Sequence, residues 1–401
     1  MSKKPTNRFR AESCLSPNGR EATNLAIRFR SGGGTLKRAP VLMTAFLSRM
    51  VLLAIASVLT LVIAKAQQAS SPICSSSSIS HTELLNTTSN GGTPIPFFGG
   101  EGAEIALDPA NKVLYFAENP FLGQGGIDTV VQMPLSGGHP VSIAPAAPGF
   151  GDVTALAFHN RRLYVADGIG YLNTLAPWPQ PTAHNVVWQF DPSNPDSWTR
   201  VVNGINNPTG LAFDGKGSLY ISSWNDQKVY EYKHVEGTTG FTLSKPVWTA
   251  PDPSDAPYGL AVDKNNNLYI AGFGVQYNTG SKIFKVNSTG NSTVFFDSST
   301  APAAFFPSGP NEPTSLAFDS NGYLYAVYYN ALKIVRIAPD GSYVVFPGGG
   351  TADDAGNGIV ITPHGDVITV VNGGRSTSDP NPAVVAIHGL TPCRVHDSDD
   401  R

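Results

Sequence analysis

The chain has 401 residues with a formal net charge of −3, and it contains 41 Gly, 32 Pro and 3 Cys. Residues 1–66 hold 11 of the 27 Lys and Arg but only 2 of the 30 Asp and Glu, so residues 67–401 carry 16 basic and 28 acidic groups, a formal net charge of −12. A surface of this sign repels nucleic-acid phosphates and anionic membranes and attracts cations, which argues against a nucleic-acid-binding or membrane-bound role for residues 67–401.

The N-terminal region has the layout of a secretory signal. An uncharged, mostly apolar core at residues 50–64 follows Arg49 and precedes the small-residue pattern Ala64-Lys65-Ala66. This arrangement predicts a signal peptide over residues 43–66, cleavage after Ala66 and a secreted protein. The alternative is an uncleaved signal anchor, since about 20 apolar residues suffice to span a bilayer.

Residues 1–42 form a separate extension. They are basic and rich in Ser and Gly, unlike the short basic region of a signal peptide. Met43 is therefore an alternative start of the protein.

A strand-forming pattern occurs six times from residue 94 onward. Each repeat begins with an apolar triplet, and the triplets occupy residues 105–107, 156–158, 211–213, 260–262, 316–318 and 359–361. A second strand, usually beginning Leu-Tyr, follows each triplet after a short turn, and further β-branched or aromatic runs complete the repeat. Repeats of about 50 residues built from strands are typical of propeller blades. The sequence predicts an all-β, six-bladed β-propeller with four-stranded blades over residues 94–393, and a C-terminal tail at 394–401.

The sixth repeat lacks a fourth strand of its own. An open sheet edge would leave unpaired backbone groups, so we expect an N-terminal strand to complete the last blade. The apolar run at residues 95–98 is the predicted closing strand, beside the third strand of the sixth repeat at residues 383–388. Residues 67–93 are then predicted to be a linker.

Two cysteines remain after the predicted cleavage, Cys74 before the first strand and Cys393 after the last. An even pair in a secreted chain predicts a disulfide, and closure of the ring would bring both ends of the chain to one blade. Two free thiols are the alternative. Sequons at Asn86, Asn287 and Asn291 are candidate N-glycosylation sites.

The repeats resemble those of a known superfamily. Residues 257–263, Pro-Tyr-Gly-Leu-Ala-Val-Asp, are similar to the NHL-type repeat, as are residues 208–214 and 313–319. Residues 94–393 together resemble the six-bladed superfamily that contains NHL proteins, the SMP-30/gluconolactonase/LRE-like group and, more distantly, strictosidine-synthase-like proteins. The resemblance implies the blade and leaves the activity open, because a fold does not determine a function.

Within the gluconolactonase-like group, the resemblance implies a divalent cation, typically calcium, in the central channel. Its ligands are Glu, Asn and Asp side chains two residues before the apolar triplet. In this chain that position reads Ala103, Thr154, Thr209, Tyr258, Thr314 and Asn357. Only Asn357 matches, and a hard cation requires several oxygen ligands with carboxylate charge. These positions are therefore expected to be a poor calcium site.

A second in-register set of polar residues lies further from the triplets, and we call it the mouth set. Its members are Glu101, Asp152, Asn207 and Glu312, four residues before a triplet, with Asp255 and Asp354, five residues before one. Blades arranged about one axis would place these side chains around one mouth of the channel, where they could bind a cation, a polyol or an amine. The alternative is that they form turns before the strands.

Two functions are consistent with these features. The first is an extracellular, monomeric propeller that binds a small molecule or partner at its channel mouth without catalysis. The second is a calcium-dependent hydrolase of lactones or related esters, with Glu101, Glu312 and Asn357 as metal ligands and Asp152 or Asp354 as the base. We favour the first, because the metal ligands implied by the resemblance are mostly missing.

Two other polar motifs are predicted to be turns. Residues 263–267, Asp-Lys-Asn-Asn-Asn, resemble a calcium loop but lack its central Gly and closing Glu. His159 takes the place of the Asp that directly follows most of the apolar triplets, and it has no partner at metal-ligand spacing.

Overall fold

A computed structural model describes residues 79–85, 105–118, 129–143, 150–168, 185–273, 280–302, 311–328, 333–347, 356–371 and 383–390. The predicted signal segment, the run 95–98, Cys74, Cys393 and Asn86 lie outside these residues. Within the described ranges, the helical elements are two short 3-10 helices, Pro253–Asp255 and Ser298–Thr300. No helix in those ranges has the length and hydropathy needed to cross a bilayer.

The described strands form six antiparallel sheets of four strands each. Blade one contains β2 (Ile105–Asp108), β3 (Val113–Glu118), β4 (Thr129–Pro134) and β5 (Val141–Ser142). Blade two contains β6 (Asp152–His159), β7 (Arg162–Gly168), β8 (Val186–Phe190) and β9 (Thr199–Asn203). Blade three contains β10 (Pro208–Phe213), β11 (Leu219–Ser223), β12 (Lys228–His234) and β13 (Phe241–Thr249). Blade four contains β14 (Pro257–Val262), β15 (Leu268–Gly272), β16 (Lys282–Val286) and β17 (Ser292–Asp297). Blade five contains β18 (Pro313–Phe318), β19 (Leu324–Tyr328), β20 (Lys333–Ile337) and β21 (Tyr343–Pro347). Blade six contains β22 (Gly356–Ile361), β23 (Val367–Val371), β24 (Ala383–His388) and β1 (Ser80–Leu85).

The inner strands of the six blades form a closed ring. Strands β2, β6, β10, β14, β18 and β22 contact one another in that order, and β22 contacts β2. Each apolar triplet predicted from the sequence lies in one of these inner strands. The predicted all-β, six-bladed propeller is therefore confirmed.

The closing strand differs from the predicted one. Strand β1 pairs antiparallel with β24, with Ser80 opposite His388 and a bulge between Glu83 and Leu85. Since β24 pairs with β23 on its other side, the prediction that residues 95–98 close the ring is wrong. The true strand lies in the segment predicted to be a linker. Its first four side chains are polar and exposed, as an edge strand requires, and an apolar run was the wrong signal for it.

The core lies between the blades and also includes the closing strand. Leu85 is fully buried and packs in a cluster with Leu114 and Phe116 of blade one and Val384 of blade six. Burial of such apolar surface between neighbours is the main source of stability in a blade array.

A buried arginine connects the end of blade six to blade five. Arg336, on β20, is 1% exposed, and its Nη1 donates a hydrogen bond of 2.8 Å to the Leu390 carbonyl. Its guanidinium also lies 5.2 Å from the ring centroid of Tyr323 and 5.6 Å from that of Phe346. The residues that follow β24 are thereby held against blade five.

The repeated Asp and Tyr of the sequence pattern stabilise the turn after the inner strand. In blade four, Asp263 Oδ1 accepts hydrogen bonds of 2.9 Å from the backbone N–H groups of Asn265 and Asn267. The hydroxyl of Tyr269 donates to Asp263 Oδ2 at 3.4 Å, and Asp214 and Asp319 make the same contacts in blades three and five. The prediction that residues 263–267 form a turn is confirmed.

Replacing Leu85 by Ala tests the closing strand. We expect a loss of about 2 to 5 kcal/mol in the free energy of unfolding, because the substitution opens a cavity in a buried apolar cluster. Urea unfolding followed by tryptophan fluorescence measures it. The control is Leu243→Ala on β13, whose side chain is 50% exposed, with an expected change within about 0.5 kcal/mol. Equal, small effects at both positions would show that β1 does not belong to the core.

Candidate binding site at the channel mouth

The described members of the mouth set lie at one end of four adjacent blades. Asp152 is the first residue of β6, Asn207 and Glu312 directly precede β10 and β18, and Asp255 ends a 3-10 helix just before β14. Because the inner strands contact one another in order, these four residues follow one rim of the ring. Glu101 and Asp354 lie outside the described residues, and only the backbone of Asn357 is described.

Asp255 forms an ion pair in the wall of the propeller. Its carboxylate is almost fully buried, and both oxygens accept hydrogen bonds from Lys282 Nζ, at 3.1 and 3.0 Å. Burial raises the pKa of the Asp255 carboxyl, while the ammonium of Lys282 opposes that rise. The pair fixes the 3-10 helix to β16 and compensates the negative charge of Asp255.

Asn207 is a buried turn residue between blades two and three. Its φ is +55°, in the left-handed region that Asn tolerates better than most residues. Its N–H donates to Asn185 Oδ1 at 2.9 Å, and its carbonyl accepts from the N–H of Trp224 at 3.0 Å. A Cβ on Gly168 would lie 2.7 Å from Asn207 Oδ1, so the side chain packs closely against the end of β7.

Asp152 is the described member of the set that stays partly exposed, since Asn207, Asp255 and Glu312 are buried. Its position is fixed by Asp167, a fully buried carboxylate that the sequence analysis did not identify. Asp167 Oδ1 accepts from the N–H groups of Gly151 and Asp152, at 2.8 and 3.3 Å, and its Oδ2 accepts from Trp188 Nε1 at 3.0 Å. The sequence signal was an Asp close to the end of a mostly apolar second strand, Arg162–Gly168.

Threonines occupy three of the positions at which the family resemblance implies calcium ligands, and their hydroxyls make hydrogen bonds to backbone carbonyls. Thr154 Oγ1 donates to the Pro208 carbonyl, and Thr209 Oγ1 donates to the Pro257 carbonyl at 3.1 Å, in each case on the next blade. Thr314 Oγ1 donates to the Val327 carbonyl of its own blade at 3.4 Å. All three residues are buried.

The neighbouring glycines allow these close contacts. A Cβ on Gly210 would lie 2.1 Å from the Tyr258 carbonyl oxygen, and one on Gly259 would lie 2.2 Å from that of Thr314. The inner strands of blades three, four and five are thus in direct backbone contact. Neutral hydroxyls engaged in this contact do not supply the carboxylate oxygens that calcium requires, so Thr154, Thr209 and Thr314 do not fit the expected metal.

The described residues do not contain a group of three or more His, Cys, Asp or Glu placed to hold a metal ion. The two described sequon asparagines lie at the turn between β16 and β17. Asn291 is exposed there, and Asn287 Oδ1 accepts hydrogen bonds from the N–H groups of Thr289 and Asn291 at 3.0 and 2.9 Å. Glycosylation at these positions remains a prediction.

Thr209→Val tests the contact between blades three and four. The substitution keeps the shape of the side chain but leaves the buried Pro257 carbonyl without its donor, so we expect a loss of about 1 to 3 kcal/mol in the free energy of unfolding. Thr242→Val, at an exposed position of β13, is the matched control and should be nearly neutral. If both variants unfold at the wild-type urea concentration, the Thr209 hydroxyl does not stabilise the ring.

No family model and no curated protein matches this chain. Solved structures match it at low sequence identity. A luciferin-regenerating enzyme is 13% identical with a TM-score of 0.51, covering 78% of this chain and 96% of its own. Regucalcin, a calcium-binding protein of Agrobacterium tumefaciens, is 15% identical with a TM-score of 0.49, covering 73% of this chain and 90% of its own.

Virginiamycin B lyase of Staphylococcus aureus is also similar, at 13% identity and a TM-score of 0.49, covering 77% of this chain and 99% of its own. At such identities the likeness bears on the fold alone. The expected resemblance to the superfamily that includes the SMP-30/gluconolactonase/LRE-like group is confirmed at that level, as a shared six-bladed β-propeller.

Proposed function

We propose that this protein is a secreted propeller that binds a cationic ligand, a metal cation or a small amine, at its channel mouth and that it is not a hydrolase. The observation that carries this proposal is the engagement of Thr154 and Thr209 in hydrogen bonds between blades. A metal-assisted hydrolase needs an ion that polarises a carbonyl and a base that activates water. Hydroxyls that donate hydrogen bonds to backbone carbonyls provide neither a binding site for such an ion nor a base.

The charge of the mouth favours a cation. Residues 67–401 carry a formal net charge of −12, and a cleft lined by one sign of charge concentrates ions of the other sign. The charge is uneven around the rim. Asp255 is buried and paired with Lys282 in blade four. In blade two Asp152 is partly exposed, and its backbone N–H donates a hydrogen bond to the buried carboxylate of Asp167. We therefore place the ligand contact at Asp152.

We also propose that Cys74 and Cys393 form a disulfide in the secreted protein. The pairing of β1 with β24 reaches Ser80 opposite His388. Cys74 lies six residues before Ser80 and Cys393 five residues after His388, so both cysteines lie within a few residues of the same end of the β1–β24 pair. Such a bond forms in the oxidising compartments through which secreted proteins pass.

Thermal unfolding of the secreted protein tests the mouth. Calcium chloride and putrescine are titrated separately, at constant ionic strength set with sodium chloride. A ligand that binds only the folded state stabilises it by about 2.7 kcal/mol at a hundredfold excess over its dissociation constant, so one of these probes should raise the Tm. Asp152→Asn should remove that rise. Asp196→Asn, an exposed carboxylate in the turn between β8 and β9, at the other end of blade two, should keep it.

Three results would contradict this proposal. An unchanged Tm with both probes would exclude the cationic ligand. Calcium-dependent hydrolysis of a simple lactone, lost in Asp152→Asn, would establish the alternative hydrolase. The intact mass of the same secreted material should show that residues 1–66 have been removed. It should also be lower by two hydrogens, as a disulfide between Cys74 and Cys393 requires. Two free thiols would refute the disulfide.

A further inference from the structure

A pocket lies between blades two and three, at the end of the inner strands opposite to the mouth. Strand β6 runs from Asp152 at the mouth to His159 at the pocket. The pocket has a volume of about 350 Å³, within the range of small-molecule sites. Its lining includes His159, Arg162, Tyr164, Phe213, Lys216 and Phe241.

The floor of the pocket is aromatic. The rings of His159 and Phe213 are stacked, with centroids 4.3 Å apart and planes at 4°. Tyr164 lies 4.6 Å from Phe213 and 6.0 Å from Phe241, measured between ring centroids. These side chains come from both blades, so the floor exists only where β6 and β7 meet β10 and β13. A planar, apolar group would be accommodated well by such a surface.

The rim of the pocket is cationic. Lys216 and Arg162 line it, and its described lining contains no carboxylate. Of the acidic residues nearby, Asp191 forms an ion pair with Arg162 Nη1 at 2.7 Å, and Asp214 Oδ1 accepts hydrogen bonds from the backbone N–H groups of Lys216 and Ser218. Since Arg162 is paired, the exposed Lys216 is the rim residue whose positive charge can attract an anion.

His159 makes this pocket different from the corresponding turns of other blades. At the position that His159 occupies, blades one, three, four and five carry Asp108, Asp214, Asp263 and Asp319. Burial lowers the pKa of the His159 imidazole, which disfavours its protonated form. Its Nε2 is buried and has no hydrogen-bond partner among the described residues. With His in place of Asp, this end of blade two lacks the negative charge that the turns of the other four blades carry.

We propose that this pocket binds a small aromatic carboxylate. Its ring would lie against the floor formed by Phe213, Tyr164 and Phe241, and its carboxylate would accept a hydrogen bond from Lys216 at the rim. The two features together select this class: the aromatic floor disfavours a bare inorganic anion, and the cationic rim disfavours a neutral arene. The site is separate from the mouth and does not depend on the function proposed there.

Isothermal titration of the secreted protein with 2-naphthoate tests this site, with 2-naphthamide as the uncharged analogue and cyclohexanecarboxylate as the non-aromatic one. We expect 2-naphthoate to bind and both analogues to bind at least about tenfold more weakly, as the loss of a charge-assisted hydrogen bond or of ring contact implies. Lys216→Gln should weaken 2-naphthoate binding by a similar factor.

The matched control is Lys264→Gln, at the corresponding exposed turn of blade four, which should bind 2-naphthoate as the wild type does. Thermal unfolding of each variant establishes that it is folded. The proposal is overturned if 2-naphthoate does not bind at millimolar concentration, if 2-naphthamide binds equally well, or if Lys216→Gln and Lys264→Gln have the same effect.

Discussion

The rest of the structure depends on direct backbone contact between the inner strands of neighbouring blades. At Gly210 and Gly259 the carbonyl oxygen of the next blade occupies the space that a Cβ would need. The buried hydroxyls of Thr154 and Thr209 donate to carbonyls across the same boundaries. The ring closes only if the distance between neighbouring blades is suitable at every boundary. Glycines and threonine hydroxyls at these positions set that distance.

This constraint also determines what the centre of the propeller can do. The side chains nearest the apolar triplets are used to join the blades, so polar groups able to meet a ligand are found further out, at the ends of the inner strands. At one end, Asp152 is partly exposed in front of the buried Asp167. At the other end, His159 interrupts a series of turn aspartates and opens a cationic, aromatic pocket. The two ligands that we propose, a cation at the mouth and an aromatic carboxylate at the pocket, therefore differ in the sign of their charge.

The sequence was sufficient to predict the blades, because their signature is local. The turn carboxylate of Asp263, its backbone donors and the Tyr269 hydroxyl all lie within seven residues, so the pattern repeats visibly along the chain. The closing strand was mispredicted because Ser80–Leu85 is a polar edge strand whose pairing depends on β24, about 300 residues away. Hydrophobic runs, which identified the other strands, favoured residues 95–98 instead.

The candidate sites were predicted only in part, for a related reason. Register along the repeats identified Asp152, Asn207, Asp255 and Glu312 as neighbours at one end of the ring. It did not reveal that Asp255 pairs with Lys282 or that Asp167 holds the start of β6, since those contacts join different strands. The pocket beside His159 depends on rings from two blades, and periodicity within one blade contains no information about them.

The central claim is that the hydroxyls of Thr154 and Thr209 join the blades and do not bind a metal. A crystal structure of the secreted protein grown with calcium chloride tests it most directly. We expect both hydroxyls within hydrogen-bonding distance of the Pro208 and Pro257 carbonyls, with any calcium near Asp152 and none bound to a threonine. A calcium ion bound to Thr154 or Thr209 Oγ1 in the channel would show instead that these threonines are metal ligands.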